Sequence, residues 1–127
     1  MAALLLQASA VGACEAGADA EISACWAVAA ATADADLNRI WPDVVASARA
    51  ADKGFGSTQR RARPSAAADL IAAERAWVLY RDKQCALEAD YAQGGSLEAI
   101  ISSQCVTDMT RQRIKQLRAI AVGFREG

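Results

Sequence analysis

The chain contains no histidine in 127 residues, only two prolines, and few aromatics: three tryptophans, two tyrosines and two phenylalanines. The missing histidine removes the commonest general base and the commonest metal ligand together. No C-x-x-C spacing is present either, so a zinc site would need thiolates gathered from distant places. No apolar run reaches the roughly 20 residues that span a bilayer. The formal net charge of −1 supplies no global field for nucleic acid or an anionic membrane. These absences argue against metal-dependent hydrolysis, nucleic-acid binding and a transmembrane role.

What the chain does have is alanine, leucine, arginine and glutamate in abundance, the composition of helices. Its length fits one core and one domain. No strand signal or internal repeat interrupts that reading. Charge is uneven along the chain. Cys14 to Asp52 carries seven acidic residues against Arg39 and Arg49, and Lys53 onward carries twelve basic against eight acidic. Such polarity lets the two halves attract each other on folding, and it also gives the first helix the means to steer a cationic partner.

Apolar residues mark three long helices. The first begins near Asp19–Glu21, where acids suit the positive end of the helix dipole. Its stripe runs Ile22, Trp26, Ala29, Ala33, Leu37, Ile40, Val44 and Ala48, in steps of three and four. Pro42 lies inside it. A proline removes one helical hydrogen bond, so a kink or break is expected at Arg39–Pro42, and the unbroken phase of the stripe favours a kink. Ala51 to Ser65 reads as a basic, solvated loop holding Gly54, Gly56, Pro64 and the trio Arg60, Arg61 and Arg63. Ser65 caps the second helix, whose stripe is Leu70, Ala73, Trp77, Tyr80, Gln84, Leu87 and Tyr91. Gly94 and Gly95 end it, and Ser96 caps the third, which buries Leu97, Ile101, Cys105, Met109, Leu117, Ile120 and Phe124. The fold expected is all-α: a small antiparallel bundle of three long helices, the first kinked near Pro42, stapled by two disulfides.

The four cysteines support that topology. Cys85 and Cys105 lie ten residues either side of Gly95, so in an antiparallel hairpin they sit level and within bonding reach. Cys14 and Cys25 remain. One continuous helix would hold them roughly 16 Å apart, so the segment before Asp19 must fold back for them to pair. Paired cysteines imply an oxidising compartment. The apolar stretch Ala2–Ala13, with small residues at Ala8 and Ala10, resembles the end of a secretory signal peptide without its basic n-region. Residues 1–13 are therefore assigned to a signal-like segment whose start is truncated or placed too far downstream, and 14–127 to a single domain. Val11-Gly12-Ala13-Cys14 also resembles a degenerate lipobox, which makes a lipid anchor on Cys14 the alternative to the disulfide. The expected location is periplasmic or secreted.

These residues resemble a known family, the LprI-type lysozyme-inhibitor domain of bacterial exported proteins. Cys14 and Cys25 look like its opening cysteine pair. The segment Ala33–Trp41, which includes Asp36, Leu37 and Asn38, resembles its "DAELNRVY" stretch. Ala73–Cys85, with Trp77, Tyr80 and Arg81, resembles "AQRAWLAFRDAEC", the most specific of the motifs. Gly94-Gly95-Ser96 and Gln104–Thr110 resemble its glycine turn and its closing "QCLTRLT". Pro42 and Glu74 depart from the pattern. The resemblance covers Cys14 to about Leu117 and implies a non-enzymatic binding protein with lysozyme as partner and no cofactor. The alternative is an envelope interaction or structural module without lysozyme activity. It maps inhibition onto no particular residue.

A lysozyme cleft holds a carboxylate pair, so a blocking group would be basic and protruding. Arg60, Arg61 and Arg63 in the loop, and Arg81 and Lys83 on the hairpin, are the candidates. Trp77 and Tyr80 are expected in the core, with Arg81 paired to Asp36 on the first helix.

Overall fold

A computed structural model describes residues 14–55 and 64–127. Residues 1–13, and with them the signal-like segment, lie outside the described residues, as do Arg60, Arg61 and Arg63. Three helices account for nearly all of what is described: α1 (Asp19–Phe55), α2 (Ala66–Ala89) and α3 (Gly95–Glu126). No strand occurs among the described residues. The all-α bundle expected from the periodicity is what the chain forms.

α1 and α3 make the most extensive contact, and α2 lies against both. The seam between the long helices is apolar: Leu37, Val44, Val45 and Ala48 of α1 meet Ile114, Leu117 and Ala121 of α3, joined by Ala66, Ala67 and Leu70 from the start of α2. Leu117 and Ala48 have no solvent exposure at all. The helix-period stripe of α1 is buried or half-buried along its whole length. α1 runs unbroken through Pro42, so the proline costs the carbonyl of Asn38 its partner without ending the helix.

Two boundaries and one burial differ from expectation. α1 continues to Phe55, so residues 51–55 belong to the helix and not to the loop. α3 starts at Gly95 with no side-chain cap, and Ser96 is its second residue. Leu97, expected to be buried, is exposed in that first turn. α3 persists to Glu126.

Both disulfides form: Cys14–Cys25 at 5.2 Å between Cα atoms and Cys85–Cys105 at 5.4 Å. The first requires the chain before α1 to double back, and Gly17 makes the turn at φ 111°. A side chain at this φ is strained whatever space surrounds it, which favours glycine. This bond occupies the Cys14 sulfur, which the lipid-anchored alternative would need free. The second follows from the hairpin. Gly94 and Gly95 both take positive φ, and so does Gln93, reversing the chain between the level cysteines.

At the open end of the hairpin, α1 caps α2. The Asp52 carboxylate accepts from the backbone N–H groups of Ala66 (2.7 Å) and Ala67 (3.0 Å), and Ser65 Oγ accepts from that of Ala68 (3.0 Å). Three of the four orphan donors at this helix start are thereby satisfied.

Candidate functional site

α2 turns a different face to the bundle from the one its apolar residues mark. Its buried line is Ala67, Leu70, Glu74, Cys85 and Ala89, with Trp77 and Arg81 half-buried between them. The expected stripe shares only Leu70 and Trp77 with that line. The two are offset by roughly a quarter turn about the helix axis, at 100° per residue. Tyr80, read as core, is 58% exposed, and Leu87 and Tyr91 are 58% and 78% exposed.

Charge explains the rotation. Glu74, only 11% exposed at its side chain, accepts from Arg113 Nε of α3 at 2.9 Å. Arg81 reaches between all three helices: Nη1 donates to Asp34 of α1 and to Thr110 of α3, both at 3.3 Å, and Nε to Asp82 at 3.0 Å. The guanidinium carbons of Arg81 and Arg113 stand 5.2 and 5.7 Å from the Trp77 ring centre, within cation–π range. An inward-facing arginine and glutamate need these partners, because an unpaired charge in that position costs several kcal/mol. The partner of Arg81 is thus Asp34, not Asp36. Asp36 pairs instead with Arg39 on the surface of α1 at 3.0 Å. Leu37 joins the core, and Asn38 is exposed.

The network ties the three helices together. Its basic and acidic groups neutralise one another inside the bundle, and Glu74 Oε1 and Arg113 Nη2 are shut off from solvent without a hydrogen-bond partner. Cys85 and Cys105 are consumed in their disulfide, with Met109 Sδ 3.8 and 3.9 Å from the two sulfurs. No group of three or more His, Cys, Asp or Glu among the described residues is placed to hold a metal ion. A shallow, mainly apolar depression of about 500 Å³ lies between Trp41 of α1 and Ile71, Glu74, Arg75 and Val78 of α2, and it gathers no nucleophile or acid–base pair.

Rotating the charged line inward leaves an apolar line outside. Tyr80 and Leu87 lie on the solvent side of α2, with Leu79 (61% exposed) beside them and Tyr91 in the turn just past the helix end. Lys83 is exposed in their midst and makes no ion pair among the described residues. Its neighbours three and four positions away along the helix are Leu79, Tyr80, Ala86 and Leu87, none of them charged. Sequence reading missed Glu74, Thr110 and Arg113 as partners. The regular spacing of Leu70, Glu74, Trp77, Arg81 and Cys85 was the available signal, hidden because two of the five are charged.

Comparison with known proteins supports the motifs already described. The profile of the family described as "Lysozyme inhibitor LprI" matches residues 12–117. The chain belongs to the LprI lysozyme inhibitor family. An uncharacterized protein of Rhizobium meliloti (strain 1021) is 41% identical over 88 residues, which cover 69% of this chain and 63% of that protein. The chain thus spans less than two thirds of the length of this relative. No solved structure matches. Every motif residue of the LprI resemblance, from Asp36 to Gly95, falls within the matched range, as does the outward line of α2.

Proposed function

We propose that this protein is an exported, non-enzymatic inhibitor that binds a lysozyme. Family membership carries the reading, and three features of the molecule support it. Two disulfides suit an oxidising compartment. No helix among the described residues is long and apolar enough to cross a membrane. The exposed acids Glu15, Asp19, Glu21 and Asp43 on and before α1 form a field that attracts cationic lysozymes of the animal type.

An enzymatic role finds no support in the side chains. Asp34 and Asp36 are two apart on α1, do not face each other, and are each engaged by an arginine. The test is a titration of the oxidised protein into an animal-type lysozyme acting on bacterial cell walls, at low and moderate salt. Saturable inhibition that weakens as salt rises is expected. Full lysozyme activity at a large molar excess of the protein, across several lysozyme types, would leave the envelope-module reading in its place.

A further inference from the structure

The geometry points to the outward line of α2 as the inhibitory element: a convex ridge of Tyr80, Leu87 and Tyr91 that enters the substrate cleft of the lysozyme and sets Lys83 against its catalytic carboxylates. This assignment rests on the inhibitor reading and adds to it the surface and the mode of blocking.

Three observations carry it. First, the exposed residues include two tyrosines, a residue type enriched in binding hot spots: Tyr80 on a helix whose own inward face is already satisfied by ion pairs, and Tyr91 in the turn that follows it, with Leu87 between them. Nothing in the bundle requires them to be apolar. Second, charge complementarity selects the partner. A single exposed ammonium ringed by Leu79, Tyr80, Ala86 and Leu87 matches an acidic group set in an apolar or aromatic-walled recess. Glycosidase clefts of the lysozyme type hold two carboxylates roughly 5–9.5 Å apart at the scissile bond. Third, shape and charge disfavour a second copy of this chain. A twofold axis through the ridge would bring Lys83 against its own copy. A concave partner meets both slopes of a ridge, whereas a flat one meets only its crest.

The test uses full-length oxidised protein and an animal-type lysozyme, with Leu87→Asp, Tyr80→Ala and Lys83→Glu measured beside Val122→Asp, an exposed apolar site on α3. All four positions are exposed, so disulfide content and helical circular dichroism should stay native. Leu87→Asp should weaken binding by at least about 30-fold, the ratio that corresponds to a hot-spot loss of about 2 kcal/mol. Lys83→Glu should weaken it about tenfold or more, and Val122→Asp not at all. The trisaccharide of N-acetylglucosamine, a cleft ligand, should compete with the wild type. Inhibition by the wild type that Leu87→Asp and Lys83→Glu leave intact, or binding that the trisaccharide does not displace, would overturn the assignment while the inhibitor reading stands. Failure of the wild type to inhibit removes both. A wild-type dimer that Leu87→Asp dissociates, or flotation with phosphatidylglycerol vesicles lost in that variant, each with inhibition unchanged, would give the ridge to a second copy or to a lipid surface and equally overturn it.

Discussion

The contact between α1 and α3 and the attachment of α2 solve the same packing problem in opposite ways. The long pair buries an apolar seam centred on Val44, Ala48 and Leu117, the ordinary arrangement of amphipathic helices. α2 is pinned by polar and covalent devices: the Asp52 clasp at its start, Glu74 and Arg81 along its middle, and the Cys85–Cys105 bond near its end. A helix held by hydrophobic burial must spend its apolar residues on the core. One held by charges and a disulfide can keep them on the outside. The difference between the two attachments is what leaves Tyr80, Leu87 and Tyr91 available.

That contrast can be broken at each device in turn. Glu74→Ala leaves Arg113 charged and buried, and should cost about 3–5 kcal/mol in denaturant unfolding. The double substitution Glu74→Met with Arg113→Leu should recover most of the loss, because no charge is then stranded. On the apolar side, Leu117→Ala opens a cavity at a site with no exposure and should cost about 2–5 kcal/mol. No second substitution on α2 should compensate it. Replacing Cys85 and Cys105 together by alanine frees a loop with a sequence separation of 20 residues and should cost about 2–4 kcal/mol. Amide hydrogen exchange should then rise more in the last turns of α2 than across the α1–α3 seam. Asp52→Ala removes a cap on two donors and should cost about 0.5–2 kcal/mol, with fraying confined to the first turn of α2.

The same contrast separates what was legible in the sequence from what was not. The apolar period placed α1 in its correct orientation from Ile22 to Ala48, because there burial and hydrophobicity coincide. The level spacing of Cys85 and Cys105 about Gly95 gave the hairpin and its staple. Periodicity misread α2, where a glutamate is buried and an arginine half-buried while Tyr80 and Leu87 are exposed. A rule that sends apolar residues inward rotates such a helix the wrong way. The pairing of Arg81 with α1 was foreseen, but its partner lies two residues earlier than expected, at Asp34. That offset depends on how the helices cross, which spacing along one chain does not encode. Of the basic residues considered for contact with a partner, Arg81 is buried in the network, Lys83 stands exposed on the ridge, and the loop arginines lie outside the described residues.

Pinning α2 at its start, middle and end also bears on the heat of any complex it forms. A helix already folded and fixed loses little conformational freedom when its outer face is covered, so the ordering penalty of coupled folding, about 2–5 kcal/mol, does not arise. Calorimetry should therefore record a negative heat-capacity change on the scale of the apolar area covered, without the large unfavourable entropy of a segment that orders on contact. Reducing the disulfides should restore that entropy cost before it abolishes association. The Cys85–Cys105 bond would then be seen as preorganising the recognition face as well as stabilising the fold.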